Sequence, residues 1–298
     1  MRVVRPPWQR AEKRGNHEAF FRTDRDAVGP LVVVHHIRKT AGSSLRTFTR
    51  ANLNLLPTDL EIIAPGISKR DHGVEGLTWY RQWYEGLGER RERLTCLMSQ
   101  TAGHLLPSLD RPADLISLVR EPVDRVLSYH YDHKRRQPRS ARPLAELERL
   151  YAEADERAPE SRALWDYFNG QSRALLSIFY DVTQLPFSFG PSRDADLWRS
   201  RLRHVVDQVY LLGVHDRFRE YIGLLSRRYG WRPFVPSIKV NGSRPAVFEA
   251  SALWEMVLAF NWLDAELYEL ARQAQLRREQ LDQPAGDDTR ADDAVRIA

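Results

Sequence analysis

The segment Arg38-Lys39-Thr40-Ala41-Gly42-Ser43-Ser44 gathers a lysine, a small flexible pair and three hydroxyls within seven residues. Those groups suit an anion. At the start of a helix the first backbone amides lack intrahelical acceptors, and together with the helix dipole they receive a phosphate. A nucleoside-triphosphate loop would read G-x-x-x-x-G-K-[ST], with glycines ahead of the lysine. Here Gly42 follows Lys39, and no glycine lies between Gly29 and Lys39. The loop is too short to encircle a triphosphate but long enough to seat one phosphate at a helix N-terminus. A surface lysine ahead of an ordinary helix cap accounts for this stretch equally well.

A second constellation stands in LVREPVDRVLSYHY, residues 118–131. Arg120 precedes Pro122, a favoured first helical residue, and Ser128 lies about two helical turns further on. The forked donors of Arg120 and the hydroxyl of Ser128 would clamp another phosphate. Arg125 fits a structural ion pair with Glu121 or Asp124. His35 and His36 sit on a strand and read as structural. No His/Cys/Asp/Glu cluster has metal-ligand spacing, so no metal is expected.

The elements around these residues follow from hydrophobic pattern. Leu31–His36 is short, β-branched and apolar throughout, as in a strand covered on both faces. Ser43 onward reads as a helix, with Ser43 or Ser44 as N-cap. LTCLMSQ (94–100), ADLISLVR (113–120) and VYLLGV (209–214) are further strands. Residues 57–93, with Trp79, Tyr80, Trp83 and Tyr84 at mixed spacing, read as short helices over the sheet. Helical patterns cover 143–156, 161–179, 196–208 and 217–229, with Gly230 as a stop, and one or two helices occupy 249–281. Residues 238–247 form a polar loop. Strands alternating with helices predict an α/β fold with a doubly wound, mostly parallel sheet, helices on both faces and a single domain. Ligands of such sheets bind outside the strand carboxyl ends, where both constellations lie. A flexible arm is expected over 1–28, the folded domain over 29–276 and a disordered tail over 277–298.

The composition sets the outer bounds. The chain has 298 residues, 42% of them hydrophobic, which is ample for a core. Its one cysteine, Cys96, excludes an internal disulfide and reads as a buried thiol. The basic N-terminus has no apolar core of a secretory signal, and no apolar run nears the ~20 residues that span a bilayer, so a cytoplasmic protein is expected. A net charge of +5 suits an anionic ligand as well as a nucleic acid.

Taken together, the two constellations resemble a known family. HHIRKTAGSSL (35–45) is similar to the H-I-P-K-T-A-G-T-S-L signature of carbohydrate sulfotransferases related to heparan sulfate 2-O-sulfotransferase. VREPVDRVLSYHY is similar to that family's R-[DE]-P-x-x-R-x-x-S-x-Y motif, and looser likeness extends over roughly residues 31–275. The resemblance implies a P-loop-like fold and transfer of a sulfuryl group from 3′-phosphoadenosine 5′-phosphosulfate (PAPS), released as adenosine 3′,5′-bisphosphate (PAP), to a carbohydrate hydroxyl. It implies that Lys39 contacts the sulfuryl group and its bridging oxygen, that Thr40, Ala41, Gly42, Ser43 and Ser44 cradle the 5′-phosphate, and that Arg120 and Ser128 hold the 3′-phosphate. Lys239, Ser243 and Arg244 fall where the family closes over the nucleotide. His104 matches the position of the family's catalytic base, a task suited to an imidazole with pKa near 6.5. Arg38 replaces the family's proline and either adds a phosphate contact or faces solvent. The family's second histidine is missing at Thr101-Ala102, which leaves the uronic-acid substrate open. For the acceptor, Trp79 and Trp83 would stack on sugar faces with His130, Tyr131 and Arg173 nearby, although each equally fits packing.

Two rival readings remain at this stage. A P-loop small-molecule kinase would need glycines before the lysine and a Mg²⁺-binding aspartate at a strand end. A non-catalytic binder of nucleotide or nucleic acid would need neither Lys39 nor His104, and on nucleic acid it would show a steep salt slope.

Overall fold

The computed structural model describes residues 17–22, 30–53, 58–63, 81–135, 143–153, 166–182, 185, 194–234 and 252–282. Six strands form one mixed sheet: β1 (His17–Arg22), β2 (Leu31–His35), β3 (Thr58–Ile63), β4 (Leu94–Ser99), β5 (Ala113–Val119) and β6 (Leu211–Val214), in the order β3-β1-β4-β2-β5-β6. β2 runs parallel to β4 and β5, and β5 parallel to β6, while β1 pairs antiparallel with β3 and β4. From β2 the chain steps to β4 on one side, then crosses back to β5 and β6 on the other. The order therefore reverses at β2, and the crevice outside the carboxyl ends of β2 and β5 is where such sheets bind ligands.

Every side chain of β2 is buried, because both faces of the sheet are covered. Val33, Leu97 and Leu115 point to one face. There they meet Trp198 and Leu202 of α5 (Ala195–Gln208) and Leu263 and Leu267 of α8 (Trp262–Leu281). Val32, Val34, Met98 and Ile116 point to the other face, against Leu45 and Phe48 of α1 (Gly42–Leu53) and Ile222 and Leu225 of α6 (Phe218–Tyr229). Cys96 lies in this second layer, where burial, followed by the charge of Glu18, pushes its thiol up and leaves it inert. A third cluster packs α2 (Pro122–Arg135), α3 (Pro143–Ala152) and α7 (Ala252–Phe260) through Val126, Leu147, Tyr151 and Phe260. Gly230 ends α6 with φ 65°, a left-handed turn that glycine makes without strain.

The expected arm over 1–28 is corrected in part, since His17–Arg22 is a strand inside the sheet. Only three consecutive apolar residues mark it, yet Phe20 and Phe21 are fully buried on opposite faces. Each stabilises the strand by roughly 2 kcal/mol. Glu18 is buried as well and accepts both forks of the Arg50 guanidinium from α1. The charge that made the segment look like a surface arm is an internal ion pair. Thr58–Ile63, expected among short helices, is likewise a strand, while 81–86 and Gly88–Arg93 are helical. The helix expected over 161–179 shrinks among the described residues to α4 (Gly170–Leu176). The helical stretch over 249–281 is two helices broken at Asn261, and α8 passes the expected boundary at 276.

That break is held by exchanged caps. The side chain of Asn169 accepts from the Leu263 and Asp264 amides at the start of α8, at 2.9 and 3.2 Å. Asp264 in return accepts from Gln171 N at 3.1 Å and Ser172 N at 2.7 Å at the start of α4. Asn261 Oδ1 closes the set on the Asn169 amide at 2.8 Å.

Candidate functional site

The chain leaves β2 by a loop that stores strain. Lys39 and Ala41 have φ of 68° and 67°, left-handed values that cost a non-glycine residue of order 1–2 kcal/mol each. The loop is pinned by the Thr40 hydroxyl, which donates to Ile37 O at 3.0 Å, and by Ala41 O, which accepts from Ser44 and Leu45 N. Among the described residues nothing accepts from the Thr40, Ala41, Gly42 or Ser43 amides. Successive amides turned to one side by left-handed residues make an anion-binding concavity. The helix therefore begins at Gly42 behind Ala41, and Ser43 and Ser44 lie inside its first turn rather than capping it. A Cβ at Gly42 would fall 1.7 Å from the His36 ring, so only glycine fits there. Burial, reinforced by Arg46, Arg38 and Lys39, pushes His36 down to about 3 and keeps it neutral. The cations around this loop face no charge of opposite sign in the first turn of α1.

Arg38 is held by protein partners. It ties the loop to the end of β4 through Gln100 Oε1 at 3.1 Å and to Asp166 Oδ2 at 2.7 Å. Arg125 of α2 reaches the other oxygen of Asp166 at 2.9 Å and also donates to Arg38 O at 3.4 Å. Burial opposes ionisation of Asp166, but the guanidinium groups of Arg125 and Arg38 outweigh it and hold the carboxyl below its usual range. Arg125 is thus structural as expected, with Asp166 as partner in place of Glu121 or Asp124. This shared carboxylate joins the two junctions that the sequence analysis singled out.

At the second junction, the side-chain amide of Gln171 clasps both backbone groups of Arg120, accepting at 2.7 Å and donating at 2.8 Å. The guanidinium of Arg120 lies 3.7 Å from Asp124, and Ser128 is buried further along α2. Val119 pairs with Val214, so Arg120 and His215 leave the sheet side by side. Burial first, then Arg120, lowers the His215 pKa.

His104 lies in a 3₁₀ turn, Ala102–Ser108, which follows β4 on the same edge of the sheet. It is buried, with Nε2 3.1 Å from Ser177 Oγ. His35, the last residue of β2, accepts from the Gly103 amide at 3.2 Å, and its ring centroid lies 6.2 Å from that of His104. A second imidazole therefore reaches this corner from another strand. The loop of Lys39, the Arg120 junction and the His104 turn all open at the carboxyl ends of adjacent parallel strands.

No protein-family model and no curated protein matches the chain.

Several other expected binders are engaged within the protein itself. The Arg173 guanidinium is buried and donates to the carbonyls of Phe168, Val182 and Leu185, and burial lowers its pKa to about 9. His130 is buried in α2 against the Tyr167 hydroxyl at 3.3 Å, Tyr131 packs on the third core cluster and Trp83 on the first. Trp79, Lys239, Ser243 and Arg244 lie outside the described residues. Among the described residues no group of His, Cys, Asp and Glu is placed to hold a metal ion, and no helix is long and apolar enough to cross a membrane. The residues that sequence reasoning missed are Asp166, Gln171, Ser177 and His35. The first three stand in a segment that reads only as a helical pattern, and their partners lie far along the chain, where spacing cannot reveal them.

Proposed function

We propose that the protein is a sulfotransferase that moves a sulfuryl group from PAPS to a hydroxyl of a carbohydrate acceptor, on a P-loop-like, doubly wound sheet. The observation that carries this reading is the strained Lys39–Ser43 loop. The amides of Thr40, Ala41, Gly42 and Ser43 have no acceptor among the described residues, and the loop stands at one sheet edge with Arg120 and a buried histidine. One short anion loop, a separate arginine junction and an imidazole suit a donor with phosphates at two ends and an acceptor that must lose a proton.

In this reading the loop amides and Lys39 hold the 5′ end of the donor and stabilise charge on the departing oxygen. Arg120 and Ser128 hold the 3′-phosphate, and His104 takes the acceptor proton. The Asp166 bridge fixes the distance between the two phosphate subsites, which in-line transfer requires.

Calorimetry with PAP and transfer of labelled sulfate from PAPS test this. PAP should bind without Mg²⁺, and Arg120→Ala and Ser128→Ala should each weaken it at least tenfold. His104→Ala should keep PAP affinity and lose about 10²- to 10⁴-fold in transfer. Binding of ATP only with Mg²⁺, or indifference of PAP to Arg120→Ala, overturns the assignment.

A further inference from the structure

The hydrogen-bonding partner of His104 decides which of its two ring nitrogens can act. Ser177 has one hydroxyl proton. In α4 and the turn that follows it, the Ala174 carbonyl, which can only accept, lies 2.9 Å from Ser177 Oγ. A hydroxyl that has donated its only proton has lone pairs alone to offer any second neighbour. The second neighbour is His104 Nε2, at 3.1 Å. The carbonyl is the closer of the two and can only accept, so it takes the hydroxyl proton, and the imidazole proton then lies on Nε2. We infer that Ser177 is a positioning residue that fixes neutral His104 as its Nε2–H tautomer and makes Nδ1 the proton-accepting nitrogen. This rests on the sulfotransferase reading for its catalytic consequence, though not for the tautomer itself.

The surroundings keep the arrangement rigid. Ser177 N donates to Arg173 O at 2.9 Å, and the Arg173 side chain is anchored on three further carbonyls, so Ser177 sits on a braced turn. On the opposite side, the His104 amide donates to Thr101 O at 3.0 Å, and His35 Nδ1 takes the Gly103 amide. His35 is thereby fixed as an acceptor at Nδ1, and its own proton lies on Nε2. Both imidazoles of this corner are held in one tautomer by groups that are not themselves reactive. In the transfer step the acceptor oxygen forms its bond to sulfur with its own electron pair. The bond from sulfur to the bridging oxygen breaks with its pair staying on the 5′-phosphate, and the acceptor proton passes to His104 Nδ1. The imidazolium then donates from both nitrogens, and Ser177 Oγ receives the Nε2 proton in either state, so its hydroxyl need not reorient during the step.

Nitrogen-15 correlation spectra of the histidine side chains in the nucleotide-free protein read the tautomer, and steady-state transfer reads the consequence. The wild-type protein should show His104 protonated at Nε2. Ser177→Ala should leave a mixture of tautomers and lower kcat about 10- to 100-fold, with the KM for PAPS within twofold of wild type. Ser177→Thr, which restores the hydroxyl, should return the Nε2–H signal and bring kcat to within threefold of wild type. A wild-type spectrum with the proton on Nδ1, or a Ser177→Ala protein with unchanged tautomer or unchanged kcat, overturns the inference. If the wild-type protein bound no PAP, the sulfotransferase reading would fall with the catalytic half, and the spectrum would still decide the tautomer.

Discussion

The protein treats the N-terminus of α1 and the N-terminus of α4 in opposite ways. At α4 the leading amides of Gln171 and Ser172 meet the carboxylate of Asp264, an anion carried by the protein itself. At α1 there is no acidic residue in the first turn, and the amides from Thr40 to Ser43 have no acceptor among the described residues. Both helices present the same unsatisfied donors and the same positive dipole end. One is neutralised from within and buried. The other sits behind two strained residues and among Arg38, Lys39 and Arg46, whose charges act on His36. Strain of that kind persists only where the surrounding structure enforces it, and here it aims donors at a place that no carboxylate among the described residues fills.

Removing the internal anion should produce the largest effect. Asp264→Ala leaves two buried amides at α4 without acceptors, at about 1–3 kcal/mol each. A loss of about 3 kcal/mol is expected in urea unfolding, with m unchanged. Because Gln171 also clasps Arg120, PAP affinity should drop alongside stability. A loss below about 1 kcal/mol would mean that α4 does not need its carboxylate, and the contrast with α1 would lose its footing.

The sequence carried one side of this contrast much better than the other. The loop was legible because its features are local: a lysine, small residues and hydroxyls directly after an apolar strand. The central parallel strands were legible for a similar reason, since burial on both faces leaves a continuous apolar run such as Leu31–Val34. The exchanged caps were not. Asn169 and Asp264 lie 95 residues apart, and neither stands at a spacing that betrays the other. Asp166 joins Arg38 and Arg125 across 128 and 41 residues, where the sequence offered a phosphate or solvent contact for Arg38 and a local ion pair for Arg125. β1 was hidden because Glu18 finds its counter-charge at Arg50. Polar groups satisfied over long range read as surface until the fold brings their partners to them.

The converse substitution gives α1 what α4 already has. Ser43 is exposed in the first turn of α1, so Ser43→Asp places a carboxylate at the open helix end without disturbing the core. It should stabilise the nucleotide-free protein by about 0.5 kcal/mol, the usual worth of an anion at such an end. The same carboxylate should repel a phosphate and weaken PAP at least tenfold in calorimetry. Stabilisation together with undiminished PAP binding would show that the anion site lies elsewhere.

The smallest effect is read at His36, which packs beneath the loop without touching its open side. Burial is the main reason its pKa falls to about 3, and the charges of Arg46, Arg38 and Lys39 add to it. A folded-state value below the ordinary 6.5 means that the unfolded chain binds this proton first. The contribution of neutral His36 to stability is therefore complete above about pH 6.5 and is lost as pH falls toward 3. An anion seated in the loop offsets the three cations but leaves the burial in place. With PAP bound, the His36 pKa followed by proton NMR should rise from its nucleotide-free value yet stay below 6.5. A value that PAP does not move would place the bound phosphates away from Lys39, even if PAP binds tightly, and the open end of α1 would need another occupant.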